Sequence, residues 1–159
     1  MMLMDIMAQQ YALVRTTRES LFAYLESIPH QHYVELLDGF GGTSIRNLHV
    51  HVADCYGFWL GRQALKLAHL ITPPEDATVP ATRSLFQQVD HLVEDFIGSY
   101  SGRWDESVPV SVPPHGDSMT TTPLWLLTHT MTHEFHHKGQ IVSMTRHLGH
   151  IPPDTDLVL

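Results

Sequence analysis

The sequence predicts an all-α protein, a four-helix bundle folded as a single domain over residues 1–159. Three observations carry that expectation. Four segments repeat apolar residues at steps of three and four, the period of an amphipathic helix. Proline, glycine and N-capping residue types separate them. Apolar residues make up 43% of the chain, enough for a packed core rather than a disordered polymer. Four helices with one apolar face each bury those faces most simply against one another. A less regular helical array is the alternative.

The first helix is expected from Asp5 to Ile28, with Val14, Thr17, Leu21, Tyr24, Leu25 and Ile28 as its stripe and Pro29 beyond its end. Gly41 and Gly42 then break the chain, and Thr43 offers an N-cap. The second helix is expected from Ser44 to Leu70, with a stripe of Ile45, Leu48, Val52, Cys55 and Trp59, and a linker containing Pro73 and Pro74 ends it. The third runs from Thr82 to Tyr100 through Leu85, Val89, Leu92 and Phe96. Residues 101–121 read as a long connection, and Pro109, Pro113 and Pro114 weaken a short strand over Val108 to Val112. The fourth helix opens at Thr122-Pro123, an N-cap followed by proline at the first helical position, and stops at Gly149.

Acidic residues outnumber basic ones 17 to 9, for a net charge of −8. Nucleic-acid binding, which rests on basic patches, is therefore not expected. No stretch approaches the roughly 20 apolar residues that span a bilayer, and residues 1–10 hold no basic leader region. A single cysteine, Cys55, allows no intrachain disulfide and suits a reducing compartment, so a cytoplasmic protein is expected.

Thirteen histidines outnumber all nine lysines and arginines. Four of them, at positions 129, 133, 136 and 137, fall on the fourth helix. On a wheel of about 100° per residue, Leu126, Thr130, His137, Met144 and Leu148 share one direction within about 20°. His133 lies about 40° from it, His129 about 80° and His136 about 100°. The wheel thus selects His133 and His137 as an inward pair at i and i+4, a spacing that presents two imidazole nitrogens to one metal ion. A pair of buried, hydrogen-bonded histidines is the competing reading. Burying two imidazoles without partners is costly, and one ion supplies a partner to both. His51, at the edge of the second helix's stripe, is the best third ligand, whereas His49 points further away. Three neutral imidazoles leave coordination positions open for water or substrate, and their hold on a metal weakens as pH drops below about 6.5.

His133-Glu134-Phe135-His136-His137 also matches the H-E-x-x-H pattern of zinc peptidases, in which Glu134 would be the general base. No glutamate follows to act as third ligand, and the extended pattern fails at Gln140 and Ser143. Glu134 is instead expected as a charge on the helix surface. Cys55, one turn after His51, is expected as a small core residue, with metal ligation the alternative. Tyr56, Trp59 and Trp125 are candidates to line a pocket or to fill the core.

Three segments resemble the DinB-like family of metal-binding four-helix bundles: Thr43 to Asp54, His133 to Ile141, and the tail from Arg146 to Leu157. The resemblance covers the second helix to the C-terminus. It implies a metal triad of His51, His133 and His137. It also implies an up-down-down-up bundle whose crossover, residues 71–79, joins two parallel helices. Further, it implies a homodimer and, by analogy with some relatives, transfer or isomerisation of small molecules using a low-molecular-weight thiol such as glutathione, mycothiol or bacillithiol. Zinc or nickel suits the three-nitrogen donor set, with iron or copper also compatible. The alternative is a non-enzymatic bundle stapled by its metal. The sequence identifies no separate nucleophile or base.

Overall fold

The computed structural model describes residues 5–68, 71–112 and 114–157. Four long helices dominate it. Asp5 caps α1 (Ile6–Glu26) by accepting from the Met7 amide at 2.8 Å. A short α2 (His30–Val34) and one 3-10 turn (Asp38–Phe40) follow. Gly41 and Gly42 then turn the chain at φ +73° and +74°, backbone that glycine adopts without a Cβ clash. Ser44, one residue past the expected Thr43, caps α3 (Ile45–Tyr56) by accepting from the Asn47 amide at 3.0 Å. From Gly57 to Ala64 the same helix continues with wider π-type turns. The helix ends at Ala64, short of the expected Leu70, which itself lies outside the described residues, as does Pro113.

Helix α4 (Val79–Tyr100) starts three residues before the expected Thr82, because Thr78 caps it and Pro80 fits its first turn. The connection after it is partly ordered as a hairpin, β1 (Val108–Val112) against β2 (Asp117–Thr121), with Pro109 opposite Thr120. Proline is tolerated there because a two-stranded ribbon consists only of edges. Thr122 caps α5 (Pro123–His147), accepting from the Trp125 amide at 3.1 Å, as the sequence predicts.

Side-chain pairings give the direction of each helix. Tyr11 bonds Asp90, Phe22 packs on Phe86 and Arg83 pairs with Glu26, so α1 and α4 are antiparallel. His49 packs on Phe86 and the Tyr100 hydroxyl donates to the Ala64 carbonyl, so α3 and α4 are parallel. His51 meets His133 and His137 while Trp59 meets Trp125, so α3 and α5 are antiparallel. The bundle is therefore up-down-down-up, and the crossover lies between α3 and α4. Leu21, Phe22, Ile45, Val52, Leu60, Val89, Val93, Phe96, Leu126 and Ile141 fill the apolar centre.

His49 departs from expectation. It is buried in that centre, 3% exposed, with Phe22 and Phe86 against its ring and the Tyr33 hydroxyl 3.4 Å from Nδ1. A wheel of α3 alone does not show that two other helices bring phenyl rings to meet it. Burial, reinforced by the charge of Arg18, pushes its pKa down to about 3. In the unfolded chain a histidine titrates near about 6.5, so below that pH the unfolded state binds the extra proton. Stability should fall as pH drops from about 6.5 toward about 3. Urea unfolding between pH 7 and pH 4 should show a shallower decline for His49→Leu than for the wild type; parallel declines would discard this role for His49.

Candidate metal centre

The buried face of α5 runs through Leu126, Leu127, Thr130, Glu134, Lys138, Ile141 and Thr145. It is rotated from the direction that the apolar residues alone select. His133 and His137 therefore sit on the flank turned to α3, both half-buried, and His51 comes from α3 as the exposed member. Ring centroids are 4.9 Å apart for His51 and His133, 4.8 Å for His51 and His137, and 4.4 Å for His133 and His137. One nitrogen from each ring lies within 4.8 Å of the other two, and among the described residues no other group of three or more metal-ligating side chains converges in this way.

The donor chemistry fits a metal. His137 Nδ1 lies 2.6 Å from the Gln140 side-chain oxygen, which can only accept, so Nδ1 carries the proton and Nε2 presents a lone pair. That Nε2 stands 3.1 Å from His133 Nε2. Two nitrogens bonded to one ion at about 2.0–2.1 Å, at right-angle to tetrahedral angles, are about 2.9–3.4 Å apart. His133 Nδ1 is buried with no hydrogen-bond partner. Pairing the two Nε2 atoms through a proton would leave that buried nitrogen as a bare acceptor. A cation between them would put both rings in the same tautomer, with the proton of His133 on the buried Nδ1. Burial, with the neighbouring histidines adding to it, lowers the pKa of His133 to about 4; burial also lowers that of His137. Both rings are thus held in the neutral form that binds metal. The exposed His51 brings the third nitrogen, within 4.8 Å of the other two.

His129 and His136 flank the triad without joining it. His129 stacks on Trp125 at 4.9 Å, and His136 is exposed beside His137. Cys55 is buried in apolar surroundings that push its pKa up to about 12, and its sulfur is not part of the converging group of ligand atoms. Tyr56 is core, not pocket lining: it is wholly buried, and its hydroxyl donates to Glu134 at 2.6 Å. Trp59 and Trp125 do reach the surface near the triad, packed edge to face at 5.7 Å.

Glu134 corrects the expectation of a surface charge. It is 6% exposed and faces the centre of the bundle. Arg18 Nε and Nη2 donate to its two oxygens at 2.6 and 2.9 Å, and Arg18 Nη1 donates to Asp90 at 2.7 Å. Tyr11 donates to the same Asp90 oxygen at 2.7 Å and accepts from Arg18 Nη2 at 3.1 Å. Both Glu134 oxygens are thus occupied on the core side of the helix, away from the histidine flank, so the H-E-x-x-H match does not supply a general base. Sequence reasoning missed this network, whose one visible trace is Arg18, four residues after Val14 and three before Leu21 on the buried side of α1. It also missed Gln140 as the group that orients His137, although the three-residue spacing is a usable sign.

The sequence profile of the DinB family matches residues 2–159, nearly the whole chain. The chain belongs to the DinB family. No match is found among curated proteins. The DinB-family assignment and the observed bundle agree, and the triad lies where two helices of that DinB bundle meet.

Proposed function

We propose that this DinB-family protein is a metal-dependent enzyme that uses a low-molecular-weight thiol to transfer or isomerise small molecules, most plainly as an S-transferase. The observation that carries this reading is the placement of the three nitrogens: a half-buried flank with an exposed third ligand, not a closed site in the core. Zinc or nickel is the proposed ion. When bound, such an ion favours the anionic form of a thiol or water that it holds. The chain's own part is to keep His133 and His137 neutral, to orient His137 through Gln140, and to leave the outer side of the site open. In the transfer, the thiol gives its proton to solvent and its sulfur bonds to an electrophilic carbon. The leaving group departs with the electron pair of its broken bond.

Protein purified without a nickel column should contain about one metal ion per chain, and metal-replete protein should conjugate a thiol to 1-chloro-2,4-dinitrobenzene. His137→Ala should lose both properties. If the metal is present and glutathione, mycothiol and bacillithiol all give no turnover, the transferase reading fails. The metal would then be a staple between α3 and α5.

The proposal extends to a cytoplasmic homodimer. No described helix is long and apolar enough to cross a membrane. Leu13, half-exposed, lines an apolar groove between α1 and α5 with Met131, Phe135 and Leu157. Light scattering at micromolar concentration should give the mass of two chains. A single-chain mass would refute the dimer.

A further inference from the structure

Beside the triad, Trp59, Trp125 and His129 form a joined set of rings across the α3–α5 groove. Trp125 and His129 are parallel within 5°, with centroids 4.9 Å apart. Trp59 stands edge-on to both, at 5.7 Å from Trp125 and 5.2 Å from His129. The set ends one ring from the metal site, since the His129 and His133 centroids are 6.0 Å apart. Trp125 is left 40% exposed. Over it opens a solvent-facing hollow of about 500 Å³ on α5 itself, lined by Thr122, Leu124, Trp125, Thr128, His129 and Thr132 and by none of the three triad histidines. That size lies within the usual range for small-molecule sites.

We propose that this hollow is the acceptor-substrate site, and that it takes a planar, uncharged aromatic group stacked on Trp125 beside the metal centre. Its role as acceptor site rests on the transferase reading; the binding itself does not. Two features select the occupant. The lining contains no aspartate, glutamate, lysine or arginine, so it offers no fixed charge to pair with the carboxylates of a thiol such as glutathione, and an ionic ligand would lose hydration with only neutral hydrogen-bond groups to compensate. Its dominant surface is an indole already held in place by Trp59 and His129, and stacking on a ring fixed in advance loses little side-chain entropy. The Thr132 hydroxyl donates to the Thr128 carbonyl at 2.9 Å, leaving its oxygen lone pairs for the ligand. The ring edge of an electron-poor aromatic, which carries partial positive charge, suits that acceptor.

Nitrobenzene and nitrocyclohexane carry the same polar group on a flat and a puckered ring, and they separate stacking from simple apolar burial. Their affinities can be measured by equilibrium dialysis on metal-loaded protein and on metal-free His137→Ala. In both preparations nitrobenzene should bind about threefold to tenfold tighter, the ratio that aromatic stacking supplies. Trp125→Ala should abolish the preference, and Trp125→Phe should retain most of it, which excludes a general folding defect. Equal binding of the two compounds, or a preference untouched in Trp125→Ala, would overturn the proposal. If the preference is present and no thiol is ever transferred, the transferase reading fails while the aromatic site stands.

Discussion

His51→Ala, His133→Ala and His137→Ala should each lose most of the bound metal, whereas His129→Ala and His136→Ala should keep about one ion per chain. Three nitrogens within 4.8 Å of one another form the donor set, and removing one leaves two neutral ligands on a half-exposed flank. Gln140→Ala should fall between these groups. It removes the acceptor that holds His137 in the tautomer with Nε2 free, and losing such a supporting hydrogen bond typically weakens metal binding by about 10–100-fold. Metal per chain after dialysis, measured for all six variants, checks the order. Retention of metal by His133→Ala together with its loss in His129→Ala would move the site one turn along α5.

Glu134→Ala should destabilise the fold by roughly 3–5 kcal/mol, because it leaves the Arg18 guanidinium short of a partner where the side chain is 5% exposed. Arg18→Ala should cost a similar amount by taking from the buried Glu134 carboxylate its guanidinium partner and leaving it the Tyr56 hydroxyl. The double replacement Arg18→Leu with Glu134→Leu should cost much less than the sum, since removing both charges also removes their desolvation penalty. Urea denaturation at neutral pH gives the three values, and metal content in the folded state should not change. Glu134→Gln tests the peptidase pattern. A catalytic base would show there as lost hydrolysis with unchanged stability; the observed contacts predict lost stability instead.

The parts of the fold legible in the sequence were those coded by near neighbours. Asp5 and the Thr122-Pro123 pair mark helix starts through contacts two or three residues away, and the i, i+4 spacing of His133 and His137 follows from helix geometry alone. The inward direction of α5 was less legible. The wheel weights apolar residues, yet the centre of the buried face holds Glu134 and Lys138. What buries Glu134 is Arg18, 116 positions upstream, and no local pattern contains that fact. His133 and His137 emerged as candidate ligands because they border the true inward face, not because they occupy its middle. His51 keeps its expected place in the triad, but the burial of His49 was not legible for a related reason: it depends on Phe22 from α1 and Phe86 from α4. The hairpin was obscured by prolines that would disqualify an inner strand and do not disqualify a ribbon.

On α5, His133 looks to the metal flank and its neighbour Glu134 looks to the salt-bridged centre. One residue inserted or deleted between Leu127 and His133 would rotate everything beyond it by about 100°. The histidines would swing out of line with His51, and the carboxylate would leave Arg18, so a single change of length would damage binding and folding together. No neighbouring side chain can compensate, because each face is read by a different partner helix. Tolerance to changes of length should therefore collect in the β1–β2 turn and the α3–α4 crossover, and the stretch from Leu127 to Gln140 should behave as a fixed ruler.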